Sequence, residues 1–387
     1  MPELAEIEAN RRSLEACFGL PSTSVKIAKC ITSNPFDAII FDESCTKADL
    51  TKNVAGKTVT ACCRKGKQMW IELSSGMSLL LHMGMTGALV IENEKIPQYK
   101  AFKVDAKQWP PRFTKLEMEL SNGARIAFCD PRRLGRVKLR KTPALESPPL
   151  SNLALDPYLE AFDSEYLASK LNNTSAPIKA ILLEQDRVFS GIGNYLADEV
   201  LYQAAIHPKA ASNTLSGEQI EALTKSIKYV VNTAVDFHCS GKDFPDSWIF
   251  HKRWSKGQKI IDNKLNGRSV TFETVGGRTS AVVVGWQKMG CKAKNNHEVK
   301  VKAENDNQSD SLIESSGNVG KIIRRGKRVV EEPNKKKKAK PASVDADAVK
   351  ADKKSVPKDK KSSSRTIELK RSSKLDMNKK RKRKSST

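Results

Sequence analysis

The stretch VTACCRKGKQMWIELSSGMSLLLHMGMTGALVI, residues 59–91, decides the fold. It breaks into short runs rich in apolar and β-forming residues: Val59 to Cys63, Lys67 to Leu73, Met77 to His82 and Ala88 to Ile91. Ser74-Ser75-Gly76 supplies turn residues between two of them, as antiparallel neighbours require. Working outward, β patterns begin near Ser24, and Lys115 to Leu120, Arg125 to Cys129 and Val137 to Leu139 read as further strands. Ser121-Asn122-Gly123 between two of these is a strong hairpin signal. Many short antiparallel strands joined by turns predict a β-sandwich. Within it, Cys62 and Cys63 are adjacent on a strand, so their side chains point to opposite faces and serve packing.

From about Pro157 the pattern becomes helical. Asp163 or Ser164 caps one helix, and Ser216-x-x-Gln219 is a capping box ahead of Ile220, Leu223, Ile227, Val230 and Ala234, which recur at helical spacing. A last hairpin runs from Ser269 to Val275, turns at Gly276-Gly277 and returns from Arg278 to Trp286. The fold class is therefore α+β: an N-terminal helix with a β-sandwich over 1–145, a helical domain over 155–245, a terminal β-hairpin finger over 246–290 and a tail over 291–387.

Composition separates the tail from the rest. All 23 aromatic residues of the 387-residue chain lie at or before Trp286, so the tail lacks the side chains that build a core and is expected to be disordered. It carries a net charge of +17, the preceding 290 residues +7. A polyanion is the natural partner; with neither a long apolar span nor a basic amphipathic helix, that is nucleic acid rather than membrane. The eight cysteines include no C-x-x-C pair and follow no signal peptide, which fits a reduced intracellular protein without a cysteine zinc site.

The chemistry points to the first residues, Met1-Pro2-Glu3-Leu4-Ala5-Glu6-Ile7-Glu8. Removal of Met1 would leave Pro2 as a secondary amine at a free terminus. An α-amino group titrates at roughly 7.7–8, so much of it is unprotonated near neutrality and can attack an aldehyde-level carbon to form an iminium. If a helix starts with Pro2 at its first position, Glu3 and Glu6 fall on one face beside the amine, and Ile7, Leu14 and Phe18 follow as its apolar stripe. Taken alone, the same residues are an ordinary helix start.

Two loops share one design. His82-Met83-Gly84-Met85-Thr86-Gly87 presents the apolar Met85, and Asp130-Pro131-Arg132-Arg133-Leu134-Gly135 presents a cation together with an apolar side chain. A protein that takes a base out of a duplex needs wedges for the hole and an arginine for the orphaned partner base. Lys67 is a candidate phosphate contact or an ordinary strand-end lysine. Gly191-Ile192-Gly193-Asn194 precedes the helical run Tyr195 to Leu201, so its backbone N–H groups would face an anion.

With these motifs in order, Met1 to about Lys288 resembles the formamidopyrimidine-DNA glycosylase (Fpg/endonuclease VIII) family: PELAEIE, GKQMWIEL, HMGMTGAL, DPRRLGR, GIGNYLADEVL and GGRTSA. The resemblance implies a β-sandwich, a helix-two-turn-helix domain and a hairpin finger, and a bifunctional base-excision glycosylase and lyase acting on damaged double-stranded DNA. It implies Pro2 as nucleophile at the sugar C1′, Glu3 as acid/base with Glu6 as supporting carboxylate, and Lys67 as the lysine that contacts phosphate and assists β-elimination. Arg278 would be the finger arginine associated with δ-elimination. Met85, Arg132 and Leu134 would fill the hole, with Lys179 and Asn194 also among the DNA contacts.

The chain departs from that pattern in three places. The hairpin has no zinc-binding cysteines, so it resembles the family's zincless finger, and no metal or other cofactor is expected. Leu134 stands where phenylalanine is common, with less stacking area. Pro245-Asp246-Ser247-Trp248 follows Phe244 at once, leaving little room for a loop to cap a flipped purine. The expected substrates are formamidopyrimidines, with 8-oxoguanine as a further candidate. The alternatives are an endonuclease VIII-like preference for oxidised pyrimidines, or a catalytically silent DNA- or chromatin-binding protein. The enzyme is expected to be a monomer. Its basic runs Lys335 to Lys338 and Lys379 to Lys384 imply import receptors as partners and residence in the nucleus.

Overall fold

A computed structural model describes residues 2–94, 108–257 and 263–290. The tail, with its expected disorder and its basic runs, lies outside the described residues, as does Met1. The chain opens on α1 (Leu4–Cys17), followed by β1 (Ile27–Thr32), α2 (Lys47–Asn53), β2 (Val59–Lys65), β3 (Gln68–Leu73), β4 (Met77–His82), β5 (Ala88–Ile91), β6 (Thr114–Leu120), β7 (Arg125–Cys129) and β8 (Arg136–Lys141). Two antiparallel sheets, ordered β1-β6-β7-β5 and β2-β3-β4-β8, make the expected sandwich. Met69, Ile71, Leu79 and Leu81 of one sheet meet Leu116, Met118, Ile126 and Phe128 of the other in a single core. The outer face of β3 and β4 is covered too: Trp70 and Leu80 pack with Cys63, Ala144 and Leu150. That second cover explains why Leu79-Leu80-Leu81 is continuously apolar instead of alternating. Cys62 and Cys63 divide between the two clusters, as their adjacency requires.

The helical part contains α3 (Ser164–Leu171), α4 (Ile178–Leu183), α5 (Asn194–Gln203) and α6 (Gly217–Asp236). Asp163 caps α3 by accepting the Tyr166 N–H at 2.8 Å, and Ser216 and Gln219 form the expected capping box of α6. The finger follows as β9 (Lys264–Leu265), β10 (Arg268–Val275) and β11 (Arg278–Val283). Val275 pairs with Arg278 across Gly276 and Gly277, whose φ of +55° and +70° suit the tight hairpin turn. Among the described residues, no helix is long and apolar enough to cross a membrane.

Helix α1 belongs to both halves. Its Ile7 and Leu14, with Phe18 just beyond, enter the sandwich core, whereas Leu4, Ala5 and Ala9 enter the helical core. A buried ion cluster adds to this link. Arg64 of β2 donates from Nε to Glu8 of α1 at 3.0 Å and binds the Asp156 carboxylate through both terminal nitrogens. Asp156 also accepts the Gly66 N–H at 2.7 Å, fixing the turn that carries Lys67. Removing the guanidinium would leave the buried Asp156 carboxylate without its cation, although Glu8 keeps Arg11 and Arg12, a loss of about 3–5 kcal/mol. Arg64→Leu should therefore lower the unfolding free energy by that order in chemical denaturation; a change below about 1 kcal/mol, the scale of an exposed pair, would show that the cluster holds nothing together.

Candidate active site

Pro2 is buried but lies outside α1, not at its first position. Glu3 is the N-cap residue, with its carbonyl accepting the Ile7 N–H at 3.1 Å, and the Leu4 N–H is taken by the Gly191 carbonyl at 3.1 Å. The amine-bearing residue is thus held ahead of the helix by a loop from the other domain. Glu6 reaches back to the Glu3 N–H at 2.9 Å and accepts the Tyr195 hydroxyl at 3.2 Å.

The Glu3 carboxylate itself points at α5. One oxygen accepts the Tyr195 N–H at 3.0 Å and the other the Leu196 N–H at 3.1 Å. The glycine-bearing helix start does face an anion, as its sequence suggests, and that anion is the protein's own Glu3. Gly193 is required for this approach: a Cβ on it would sit 2.2 Å from the Glu3 carboxyl carbon. Burial pushes the Glu3 carboxyl above the ordinary range, outweighing the nearby Lys67 charge and the two N–H bonds. Burial and the Glu3 charge push Glu6 up to about 7.

Lys67, in the β2–β3 turn, donates to the Ile192 carbonyl at 2.8 Å. Burial drives its ammonium below the usual range; Glu3 opposes this and Arg278 adds to it, so all three charges share one locality. Arg278 is exposed at the hairpin tip. Asn194 opens α5, and its amide oxygen is buried with no hydrogen-bond partner among the described residues.

Lys179 is a correction. Expected at the DNA, it is fully buried and donates to Asp198 at 2.6 Å, the Thr279 carbonyl at 3.0 Å and the Ser280 hydroxyl at 2.8 Å. Asp198 also takes Arg253 at 3.1 Å and the Ala281 N–H at 3.3 Å. This group ties α4 and α5 to β11, so Lys179 positions the finger rather than touching a ligand.

Residues 1–137 match the formamidopyrimidine-DNA glycosylase N-terminal domain, and residues 153–245 match the formamidopyrimidine-DNA glycosylase H2TH domain. The chain belongs to the formamidopyrimidine-DNA glycosylase family. The formamidopyrimidine-DNA glycosylase of Arabidopsis thaliana is 39% identical over 291 residues, covering 75% of this chain and 71% of the relative. That of Zymomonas mobilis is 32% identical over 295 residues, 74% of this chain and all of the relative. A solved Lactococcus lactis Fpg, noncovalently bound to AP-site DNA, aligns with a TM-score of 0.58 at 25% identity over 74% of this chain and 99% of that one. The protein is a DNA glycosylase of base excision repair with the family's AP-lyase activity.

In this family member the two apolar loops lie against each other. Thr86 donates to the buried Asp130 at 2.7 Å, and Asp130 accepts the N–H groups of Arg132, Leu134 and Gly135 at 3.1, 2.7 and 2.6 Å. Leu134 and Arg132 are exposed and Met85 is half-buried. Arg133, at a left-handed φ of +57°, is clamped by Asp37 through contacts of 2.9–3.1 Å. Burial works against ionisation of Asp37, but Arg133 and Lys115 hold its carboxyl down at about 2. Sequence reading singled out neither Asp130 nor Asp37; Asp130 heads the DPRR turn, whereas Asp37 sits in an irregular segment with no local signal. Among the described residues, no group of three or more histidine, cysteine or acidic side chains is placed to hold a metal ion.

The raised Glu6 pKa has a thermodynamic signature. Its folded value of about 7 exceeds the ordinary 4.5, so its contribution to stability is fully present below 4.5 and lost as pH rises through about 7. Relative to Glu6→Gln, the wild-type unfolding free energy should fall between pH 5 and 8. Parallel stability curves for the two proteins over that interval would contradict the assignment.

Proposed function

We propose that the protein removes formamidopyrimidine lesions from damaged duplex DNA through the Pro2 amine and then cleaves the abasic site by β- and δ-elimination. The supporting observation is the convergence of Glu3, the residue next to Pro2, and of Lys67 on the Gly191–Leu196 segment, a place where burial raises the pKa of the carboxyl and lowers that of the lysine. Pro2 forms a bond to C1′ as the glycosidic bond breaks, and the Glu3 carboxyl is placed to supply the proton that the departing base takes. The C1′–O4′ bond of the resulting aminal then opens, O4′ taking by way of Glu3 the proton that the Pro2 nitrogen has lost, and the iminium so formed withdraws electrons from C2′. Lys67 accepts the C2′ proton as the 3′ phosphate leaves. Arg278 stabilises the 5′ phosphate as it leaves in the second elimination, a forked cation suiting a phosphate. Asn194 holds a backbone phosphate, and Met85, Arg132 and Leu134 occupy the gap left by the extruded nucleotide.

Formamidopyrimidines are favoured over 8-oxoguanine because Phe244 and Trp248, either side of the short Pro245–Ser247 connection, are themselves buried with Phe250 in an aromatic cluster. That segment is committed to packing and leaves little chain to fold over a purine. The protein acts as a monomer; a molar mass of twice 42.8 kDa in solution light scattering would refute this.

With abasic DNA and borohydride, the mature protein should form a covalent adduct at Pro2, and acetylating the terminus should abolish it. An adduct on another residue removes the nucleophile assignment. Arg278→Ala should shift abasic products from δ toward β, with lysine restoring only part; an unchanged product ratio would exclude that role. On duplexes with defined lesions, faster release of 8-oxoguanine or oxidised pyrimidines than of formamidopyrimidines would reverse the substrate ranking.

The basic tail serves nuclear import, because a catalytic N-terminus must stay free and an address is better carried at the other end. Truncation after residue 290 should leave lesion cleavage intact at low salt and abolish nuclear accumulation. A truncated protein still concentrated in nuclei would refute this.

A further inference from the structure

One buried polar group at the site takes no part in the chemistry described above: the Tyr195 hydroxyl. Tyr195 is 4% exposed and stands in the first turn of α5, where its backbone N–H donates to the Glu3 carboxylate at 3.0 Å. Its side chain reaches the other acid, the hydroxyl donating to Glu6 Oε2 at 3.2 Å. The same oxygen accepts the Glu3 N–H at 2.9 Å. That N–H belongs to the planar peptide unit joining Pro2 to Glu3, so its direction sets how the Pro2 ring and amine project from the chain.

These contacts close a loop. Tyr195 grips the Glu3 side chain directly and the Pro2–Glu3 peptide through Glu6. A free glutamate side chain samples several rotamers, and the hydroxyl removes that freedom at the carboxylate end. The tyrosine is itself held. Phe250 lies edge-on to its ring at a centroid distance of 5.3 Å, and Phe244 stacks at 6.5 Å. Phe250 is fixed in turn: the buried Glu199 accepts its N–H at 3.0 Å, and its ring packs against Gly241, where a Cβ would come within 2.7 Å of it. The aromatic cluster after α6 therefore buttresses the residue that stands behind the amine.

We propose that Tyr195 is a positioning residue for the nucleophile: its hydroxyl holds Glu6 so that Glu6 orients the Pro2–Glu3 peptide and, with it, the Pro2 amine towards the sugar C1′. This rests on the reading of Pro2 as the nucleophile. The hydroxyl makes and breaks no covalent bond, and its removal leaves the backbone N–H that holds the Glu3 carboxylate.

The test is Tyr195→Phe in the mature full-length protein, which keeps the ring and the bond to Glu3 and deletes only the hydroxyl. Single-turnover borohydride trapping on abasic DNA should be about tenfold slower, less than the roughly hundredfold effect of moving a reacting group by about 1 Å. Affinity for a duplex with a reduced, uncleavable abasic site should stay at the wild-type value. Wild-type trapping in Tyr195→Phe overturns the proposal, and so does slower trapping matched by an equal loss of affinity, which a packing role would produce. In a Glu6→Ala background the same change should slow trapping no further, because the route through Glu6 is already gone. An equal slowing there overturns the proposal. Amide exchange reads the contact without catalysis: the Glu3 N–H should exchange faster in Tyr195→Phe, while the Leu4 N–H, held by the Gly191 carbonyl, keeps its wild-type rate. An unchanged Glu3 rate also overturns it. A wild-type adduct on a residue other than Pro2 removes the nucleophile reading and this inference with it; an adduct on Pro2 with equal trapping rates in the two proteins removes this inference alone.

Discussion

Everything at the site depends on one carboxylate meeting one helix N-terminus. The Glu3 side chain accepts two N–H groups from the first turn of α5, nearly two hundred residues further along the chain. Partial positive charge at a helix N-terminus favours the ionised form, and so does Lys67, yet the complete burial of the group pushes the other way and prevails. The result is a carboxyl that is rigidly placed and still inclined to hold a proton. A side chain that must give a proton to a departing base needs both properties. Pro2 gains its position from the same contact, because the residue after it is fixed by its side chain, its backbone N–H and its carbonyl at once.

That contact demands that the two halves of the protein be held in one relation. Helix α1 does this with apolar side chains on both of its faces, and the Arg64 cluster does it with charge. Buried ion pairs are poor sources of net stability, since desolvation offsets most of the attraction, but a broken one is costly. Arg64 with Glu8 and Asp156, and Lys179 with Asp198 and Arg253, therefore act chiefly as registration devices: one fixes the Lys67 turn, the other fixes the root of the finger that carries Arg278. Neither group needs to touch a substrate to govern the geometry of those that do.

The sandwich was legible because its information is local: Ser-Asn-Gly and Ser-Ser-Gly turns and apolar runs fall where β3, β4, β6 and β7 are found. Strand β1 falls where the β pattern begins near Ser24 but had no bounds of its own because only Ile27 of its six residues is buried, and α2 escaped because it is short and buries only Leu50. The site was legible where residue type alone implies chemistry, as for a terminal proline beside a glutamate. It was not legible where distant residues meet. Lys179 looks like any basic residue in a DNA-binding domain until Asp198, on the next helix, is seen to neutralise it in the interior. The glycines before α5 announced an anion, but nothing in the local sequence says that it is Glu3. Asp198 and Glu199, two acids inside an otherwise apolar helical run, were the available hint that buried polar partners exist.

The most direct measurement is the titration of the Glu3 carboxyl carbon by NMR in selectively labelled protein, assigned by its loss in Glu3→Gln. The expected midpoint lies above the ordinary 4.5, because burial outweighs both the α5 N–H groups and Lys67. It should move in Gly193→Ala, where the added methyl group displaces the carboxylate from the helix. A midpoint at or below 4.5, or one indifferent to the added methyl, would contradict the claim that α5 holds Glu3 in a place where burial raises its pKa.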